Sequence, residues 1–161
     1  MIQRIQTVYL LLASCLVALS AVFPLFSFQL AETSEMLMGQ ETRLYAFSWK
    51  ALGPDGVWGS LATLYYLGIA FCSIALFSFS VIFFYKNRKK QIKMTKYAFI
   101  LKIALLATVG YYVYLAQTND VVATKPQIGV LLFAISMVFD WLAVKAIRKD
   151  EDLVRSVDRI R

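Results

Sequence analysis

Two ionisable residues lie inside long apolar stretches of this 161-residue sequence. Lys102 lies five residues after Tyr97, where the third stretch begins, which is about 8 Å along a helix. Asp140 lies seven residues before Ile147, where the fourth stretch ends, about 10 Å from the same side. If these stretches form adjacent antiparallel helices, the two side chains meet at a similar depth. The spacing therefore predicts an intramembrane ion pair, or a site that binds a proton or an ion.

Each residue also has an interpretation that needs no pair. Lys102 can extend its aliphatic side chain to the headgroups without a partner. Asp140 can instead contact Lys145 or the interfacial backbone near Trp141. Charges near the ends of spans are more often structural or interfacial than catalytic or transporting. One carboxylate also falls short of the paired acids expected of a proton pump.

Other patterns that carry chemistry are missing from the sequence. Histidine does not occur, which excludes a histidine metal ligand, a Ser-His-Asp triad and a histidine proton relay. Cys15 and Cys72 lie inside apolar stretches and are interpreted as small packing residues. Phosphate-binding glycine loops and a G-x-S-x-G elbow are absent too. We expect no catalytic residues, no cofactor and no metal site, and hence not an enzyme.

Four apolar stretches must position Lys102 and Asp140. They cover about residues 5–28, 60–85, 97–116 and 128–147. Crossing the ~30 Å hydrocarbon core takes ~20 helical residues, so each is long enough to span a membrane. The first stretch resembles a signal peptide, but apolar sequence continues past Cys15, so we expect a retained helix. The predicted fold class is an all-α membrane protein in which residues 1–161 form one four-helix transmembrane bundle.

Positive charge is divided unequally between the two ends of this bundle. Fourteen of the 17 Lys and Arg residues fall on one side, including the basic loop 86–96 and the tail 148–161. The other side holds Arg43, Lys50 and Lys125. Because positive residues stay cytoplasmic, we predict a multi-pass membrane protein with cytoplasmic N- and C-termini. This orientation accounts for the net charge of +7, so we expect no nucleic-acid partner.

The outer loop 29–59 is the one sizeable segment outside the predicted membrane. Apolar residues alternate with small or polar ones at 26–31 and again at 44–49. Two such runs predict a small extracytoplasmic β-ribbon in this loop, with turns near Gly39 and at 53–56. Residues 32–35 either begin a short helix or stay irregular.

The charged tail 148–161 is a candidate partner-binding segment. Its apolar residues fall at helical spacing, which predicts that the fourth helix continues past the membrane with one apolar stripe. The stripe either binds a partner or lies on the membrane surface. Otherwise the helix is solvated and packs on the basic loop, where Asp150 and its acidic neighbours pair with Lys89, Lys90 or Lys93. The candidate residues are Leu153, Val154, Arg155, Val157, Asp158 and Arg159.

The two ends of the chain also carry a family resemblance. Residues 1–7 (MIQRIQT) and 149–161 (KDEDLVRSVDRIR) resemble the ends of a bacterial family of short four-span inner-membrane proteins classed as a domain of unknown function. The resemblance covers essentially the whole chain and implies an inner-membrane location. It supplies no activity, cofactor or site residue, and its distinctive tail favours a partner surface over chemistry facing the lipid.

Together these observations predict a polytopic membrane protein of unknown activity. The leading hypothesis is a non-enzymatic accessory or scaffold subunit of a membrane complex, in contact with lipids and with another membrane or cytoplasmic protein. The sequence also allows a homo-oligomer. The alternative is a small ion-coupled transporter that uses the pair Lys102 and Asp140. An enzyme acting at the membrane interface comes third.

Overall fold

The computed structural model describes residues 3–30, 41–53, 56–117 and 121–158, as helices joined to one antiparallel sheet. The helices are α1 (Gln3–Val22), α2 (Tyr65–Ser80), α3 (Arg88–Gln117) and α4 (Ile128–Asp158), and a 3₁₀ segment, Val81–Lys86, follows α2. The strands are β1 (Phe26–Leu30), β2 (Glu41–Leu44), β3 (Ser48–Leu52), β4 (Trp58–Thr63) and β5 (Val121–Pro126).

Four helical segments are long and apolar enough to cross a membrane, which confirms that prediction. The second of them, Tyr65–Tyr85, consists of α2 and most of the 3₁₀ segment. The apolar windows of the four segments have mean hydropathies between 1.8 and 2.4. Only 22–39% of each window is buried inside the protein, so most of its apolar residues face outward. A helix that is apolar on nearly all sides needs a hydrocarbon environment when the protein does not cover it. The chain has the helices of a membrane-spanning protein.

The ends of the helices differ from the predicted spans. Pro24 cannot continue α1, which ends at Val22, and residues after it turn into β1. The predicted start of the second span, from residue 60, belongs to β4 instead. The predicted basic loop 86–96 is wrong for most of its length, because α3 begins at Arg88. Asn87 Oδ1 accepts the backbone N–H of Lys90 at 3.2 Å and so caps this helix.

The sheet is larger than the predicted ribbon. Its strand order is β4-β3-β2-β1-β5, so β1 lies between β2 and β5. Ser27, for example, pairs with Arg43 on one side and Lys125 on the other. The ribbon prediction therefore missed β5, which comes from the short connection between α3 and α4 rather than from the first outer loop. Gly39 and residues 32–35 lie outside the described residues.

The predicted turn at 53–56 joins β3 to β4. Gly53 donates its N–H to the Val57 carbonyl at 2.9 Å, and the Gly56 N–H reaches the Gly53 carbonyl at 3.0 Å. Gly56 has a φ of 71°, a left-handed conformation that favours glycine. Pro54 and Asp55 lie outside the described residues.

The core lies where the four helices meet, on the side nearer the sheet. Phe71 of α2 and Phe133 of α4 are buried at its centre, with ring centroids 5.4 Å apart in an edge-on contact. Above them Phe28 and Leu44 of the sheet pack with Ala116 near the end of α3. Hydrophobic contacts thus join the sheet to the helix ends and fix the sheet at one end of the bundle.

The two cysteines do not pack in this core as the sequence suggested. Cys15 and Cys72 are both exposed and unpaired. Their chain neighbours Ser14 and Phe71 are buried instead. Helical rotation decides this difference, because a shift of one residue turns a side chain by about 100°.

Candidate functional site

Helices α3 and α4 bring Lys102 and Asp140 together. Lys102 Nζ donates a hydrogen bond to Asp140 Oδ2 at 2.6 Å. The two side chains are 0% and 1% exposed, so neither reaches the surface. Lys145, the other cation considered for Asp140, instead lies over the Trp141 ring, 5.3 Å from its centroid. The ion pair is therefore an interior contact between two helices rather than an interfacial one.

A groove between α3 and α4 leads to this pair from the end opposite the sheet. Its volume is about 290 Å³, and its lining residues, besides Asp140, are Lys96, Phe99, Ile100, Trp141, Val144 and Arg148. Asp140 Oδ1 is buried and has no hydrogen-bond partner within the described part of the chain. On the sheet side, buried Leu105 and Phe133 belong to the apolar core. The ion pair thus lies between the inner end of the groove and the apolar core of the protein.

The arrangement is suited to holding two helices together. Desolvating two charges offsets most of their attraction, so a buried pair adds little net stability, whereas removing one partner is costly. The buried ionisable side chains in the described ranges are Lys102, Asp140 and Asp150. Asp150 is ten residues along α4, about 15 Å away, too far for direct proton transfer. Over the same ranges, no group of three His, Cys, Asp or Glu residues could hold a metal.

A second polar contact joins three helices at the basic end of the bundle. Asp150 Oδ2 accepts a hydrogen bond from Gln6 Nε2 at 3.2 Å and forms an ion pair with Arg88 at 3.0 Å. Arg88 also donates to the Asp150 backbone carbonyl at 3.1 Å. Asp150 is 7% exposed, so this contact, the basic-end cluster, lies inside the protein. It ties α4 to the beginnings of α1 and α3.

The expected partners of Asp150 were wrong. The sequence suggested Lys89, Lys90 or Lys93, on the assumption that residues 86–96 form a loop. Because this segment is helical, Arg88 faces Asp150, while Lys89 and Lys93 are exposed. Gln6, a polar residue in an apolar stretch, was the one signal in the sequence that pointed to a buried polar contact here.

Replacing Asp150 by alanine is expected to lower the free energy of unfolding by about 1–2 kcal/mol, because Gln6 and Arg88 lose their acceptor. Amide exchange in α4 beyond residue 150 should become faster as well. Asp152→Ala is the matched control, since it removes the same charge from an exposed position of the same helix. Equal effects of the two variants in detergent unfolding would show that the cluster does not anchor α4.

The candidate tail residues lie on an unbroken helix. The α4 backbone includes Leu153, Val154, Arg155, Val157 and Asp158 and runs to Asp158. Arg159 lies outside the described residues. The described side chains of α4 end at Asp152, two residues beyond the basic-end cluster. The tail therefore continues directly from a point that is fixed to α1 and α3.

A charged contact also lies on the sheet. Arg43 Nε bonds Glu41 Oε1 at 3.1 Å, and the guanidinium lies 4.4 Å from the centre of the Trp58 ring. The hydrogen bond to Glu41 is the main reason that the pKa of Arg43 is raised above its ordinary value. Both side chains are about one third exposed, so the pair adds little stability. It orders the surface of the sheet and offers no catalytic geometry.

Comparison with known proteins agrees with the resemblance seen at the ends of the chain. The family described as Domain of unknown function (DUF4293) matches residues 2–160. No curated protein matches the chain significantly. The family match includes both ion-pair residues, the basic-end cluster and all but the last residue of the tail. The chain therefore belongs to the family described as Domain of unknown function (DUF4293).

Proposed function

We propose that this protein is a non-enzymatic accessory subunit of a complex in the bacterial inner membrane, bound by its partner protein through the end of α4. The observation that carries the proposal is the unbroken course of α4 from Ile128 to Asp158. Its 31 residues extend about 46 Å, some 16 Å more than the ~30 Å hydrocarbon core. The basic-end cluster fixes this helix at Asp150. The helical turns after Asp150 extend beyond this fixed point.

The sequence supports an interaction surface on these helical turns. Ala143, Ile147 and Asp150 are buried on one side of α4. By helical periodicity, positions 153, 154 and 157 continue the same side, and they hold Leu, Val and Val. An apolar stripe that runs on beyond the helix bundle is typical of a helix that binds a partner.

The distribution of charge supports a cytoplasmic position for the end of α4. The beginnings of α1 and α3 and the end of α4 lie together, with the sheet at the opposite end. The three basic residues on the sheet side, Arg43, Lys50 and Lys125, all lie in strands. The remaining 14 belong to the other half of the bundle and its tail. This asymmetry favours a cytoplasmic basic end and an extracytoplasmic sheet.

The sheet is the weaker candidate for a partner surface. Both edge pairings shift register, between Trp49 and Lys50 of β3 and between Gln29 and Leu30 of β1. Such bulges twist an edge strand and hinder pairing with a strand of another chain. We therefore place the partner contact on α4.

The ion-coupled transporter remains a second candidate. It is favoured by the groove that reaches Asp140 and by the unpartnered Oδ1 of that residue. It is disfavoured by the apolar core around Phe71, Leu105 and Phe133, which fills the bundle between the pair and the sheet. A substrate path would have to cross this core, so the accessory role accounts better for the packing.

The test is affinity purification of the full-length protein from native membranes in mild detergent, followed by quantitative mass spectrometry. One variant carries Leu153→Ser and Val157→Ser, which interrupt the apolar stripe without a change of net charge. The control carries Asp152→Ser and Arg155→Ser, which lie on the opposite side by helical spacing and are also neutral in sum.

We expect the wild type and the control to recover a partner protein in stoichiometric amount. The stripe variant should recover at least about tenfold less of that partner, since losing two buried apolar side chains removes well over 1.4 kcal/mol. Recovery of the wild-type protein alone under several extraction conditions would contradict the accessory role. A partner that is retained by the stripe variant would move the interface away from α4.

A further inference from the structure

We propose that the groove between α3 and α4 binds an anionic phospholipid, with the lipid phosphate held by Lys96 and Arg148. All seven lining residues belong to these two helices, so the groove opens away from α1 and α2, toward the surrounding membrane. Ile100 and Trp141 at its rim are 57% and 58% exposed. A second hollow of about 190 Å³ shares Trp141, Val144 and Arg148 and adds Lys145. The two hollows form one continuous surface.

The two cations lie at the same level on facing helices. Lys96 precedes Lys102 by six residues, and Arg148 follows Asp140 by eight. Since the ion pair aligns these antiparallel helices, both cations lie about 9–12 Å from it toward the basic end. That is the level expected of the headgroups, because the ion pair lies inside the bundle and most Lys and Arg residues of this side lie beyond it.

Charge and shape favour an anionic lipid over other occupants. Neither Lys96 nor Arg148 forms an ion pair in the described part of the chain. Basic pockets between helices at the cytoplasmic side of a membrane bind anionic headgroups. Below the cations, Phe99, Ile100 and Val144 offer an apolar wall along which an acyl chain can lie. A volume of about 290 Å³ is at the lower end for small-molecule sites and suits a headgroup with the start of one chain.

The test is a lipid titration of the full-length protein in non-ionic detergent micelles, read by native mass spectrometry. The probes are dioleoyl phosphatidylglycerol, dioleoyl phosphatidylcholine and inorganic phosphate. Lys96→Gln with Arg148→Gln removes the charges that face the groove. Lys89→Gln with Lys93→Gln is the matched control, because it removes two exposed charges of the same end that do not line the groove.

We expect phosphatidylglycerol to bind the wild type at least tenfold more tightly than phosphatidylcholine does. The groove variant should bind it about 30-fold more weakly and the control less than threefold more weakly. Ile100→Trp, which fills the groove and leaves every charge in place, should weaken binding by a similar factor. If the groove variant does not fold, Ile100→Trp tests the proposal in its place.

Three results would overturn the proposal. Equal weakening by the groove and control variants would mean unspecific attraction to a basic surface. Equal binding of the two lipids would show that the net negative charge of the headgroup does not contribute to binding. Displacement of phosphatidylglycerol by an equal concentration of inorganic phosphate would identify a phosphate site rather than a lipid site.

Discussion

Asp140→Leu alone is expected to lower the free energy of unfolding by ~3–5 kcal/mol, because it leaves the Lys102 ammonium buried without a counter-ion. Lys102→Leu should have an effect of similar size, since it leaves the Asp140 carboxylate in the same position. Both side chains are almost completely buried, so neither can be hydrated where it lies. Equilibrium unfolding in mixed detergent micelles, followed by far-UV circular dichroism, measures both variants.

Lys145→Leu is the control for these two variants. Lys145 lies five residues after Asp140 on the same helix but is exposed, so its replacement should change the free energy by less than about 0.5 kcal/mol. If Asp140→Leu were as mild as this control, the charges of the pair would have little structural importance. The loss should also be visible as faster amide exchange in α3, which packs against α4 as well as against α2 and the 3₁₀ segment.

Gly129→Ala is expected to lower the free energy of unfolding by about 1–3 kcal/mol, because the first turn of α4 touches the backbone that follows α1. A β-carbon at position 129 would lie 2.7 Å from the Pro24 carbonyl oxygen and 2.9 Å from that of Phe23. The backbone cannot easily move aside, since the Gly129 N–H donates to Pro24 O at 2.9 Å. The same unfolding measurement applies.

Gly110→Ala should instead raise the free energy of unfolding. Gly110 lies within α3, and a β-carbon there would meet no atom within 4 Å. Alanine then restricts the unfolded chain without strain in the helix, which is worth about 0.5–1 kcal/mol of added stability. Destabilisation by both substitutions to a similar extent would show that the close contact with Pro24 is not the reason that position 129 disfavours alanine.

Sequence periodicity and length were sufficient for the four helices but not for their ends. Apolar composition marks where a chain can lie in hydrocarbon, and it carries no information on where a helix stops outside it. The basic residues 88–96 illustrate this limit: Lys and Arg are good helix formers, and Asn87 caps the helix before them. A run of charge was therefore interpreted as a loop although its local propensity favours a helix.

The sheet was only partly predictable for a different reason. The alternation at 26–31 marks a strand, as β1 shows, whereas the run 44–49 was wrongly predicted as one strand: it covers the end of β2, the connection 45–47 and the first two residues of β3. Strand β5 holds the sequence VVATKP, which has no alternation, and it is a strand because β1 offers it a free edge. Pairing between residues almost 100 positions apart is decided by tertiary contacts, which short-range patterns do not contain.

The candidate site contains features that the sequence predicted and features that it did not. Lys102 and Asp140 stood out because charge is rare in apolar stretches, and helical rise alone placed them at one depth. The basic-end cluster did not stand out, because Arg88 and Asp150 lie among many other charges. The groove between α3 and α4 was equally hidden, since its lining depends on the rotation of both helices about their axes.

The central claim is that Lys102 and Asp140 act as one structural unit that joins α3 to α4. A double-mutant cycle with Lys102→Leu, Asp140→Leu and the combined variant measures this most directly. We predict that the combined variant unfolds within about 1 kcal/mol of the wild type, although each single variant loses ~3–5 kcal/mol, because an apolar pair can replace a buried ion pair. If the combined loss equals the sum of the single losses, the two residues are energetically independent and the claim is wrong.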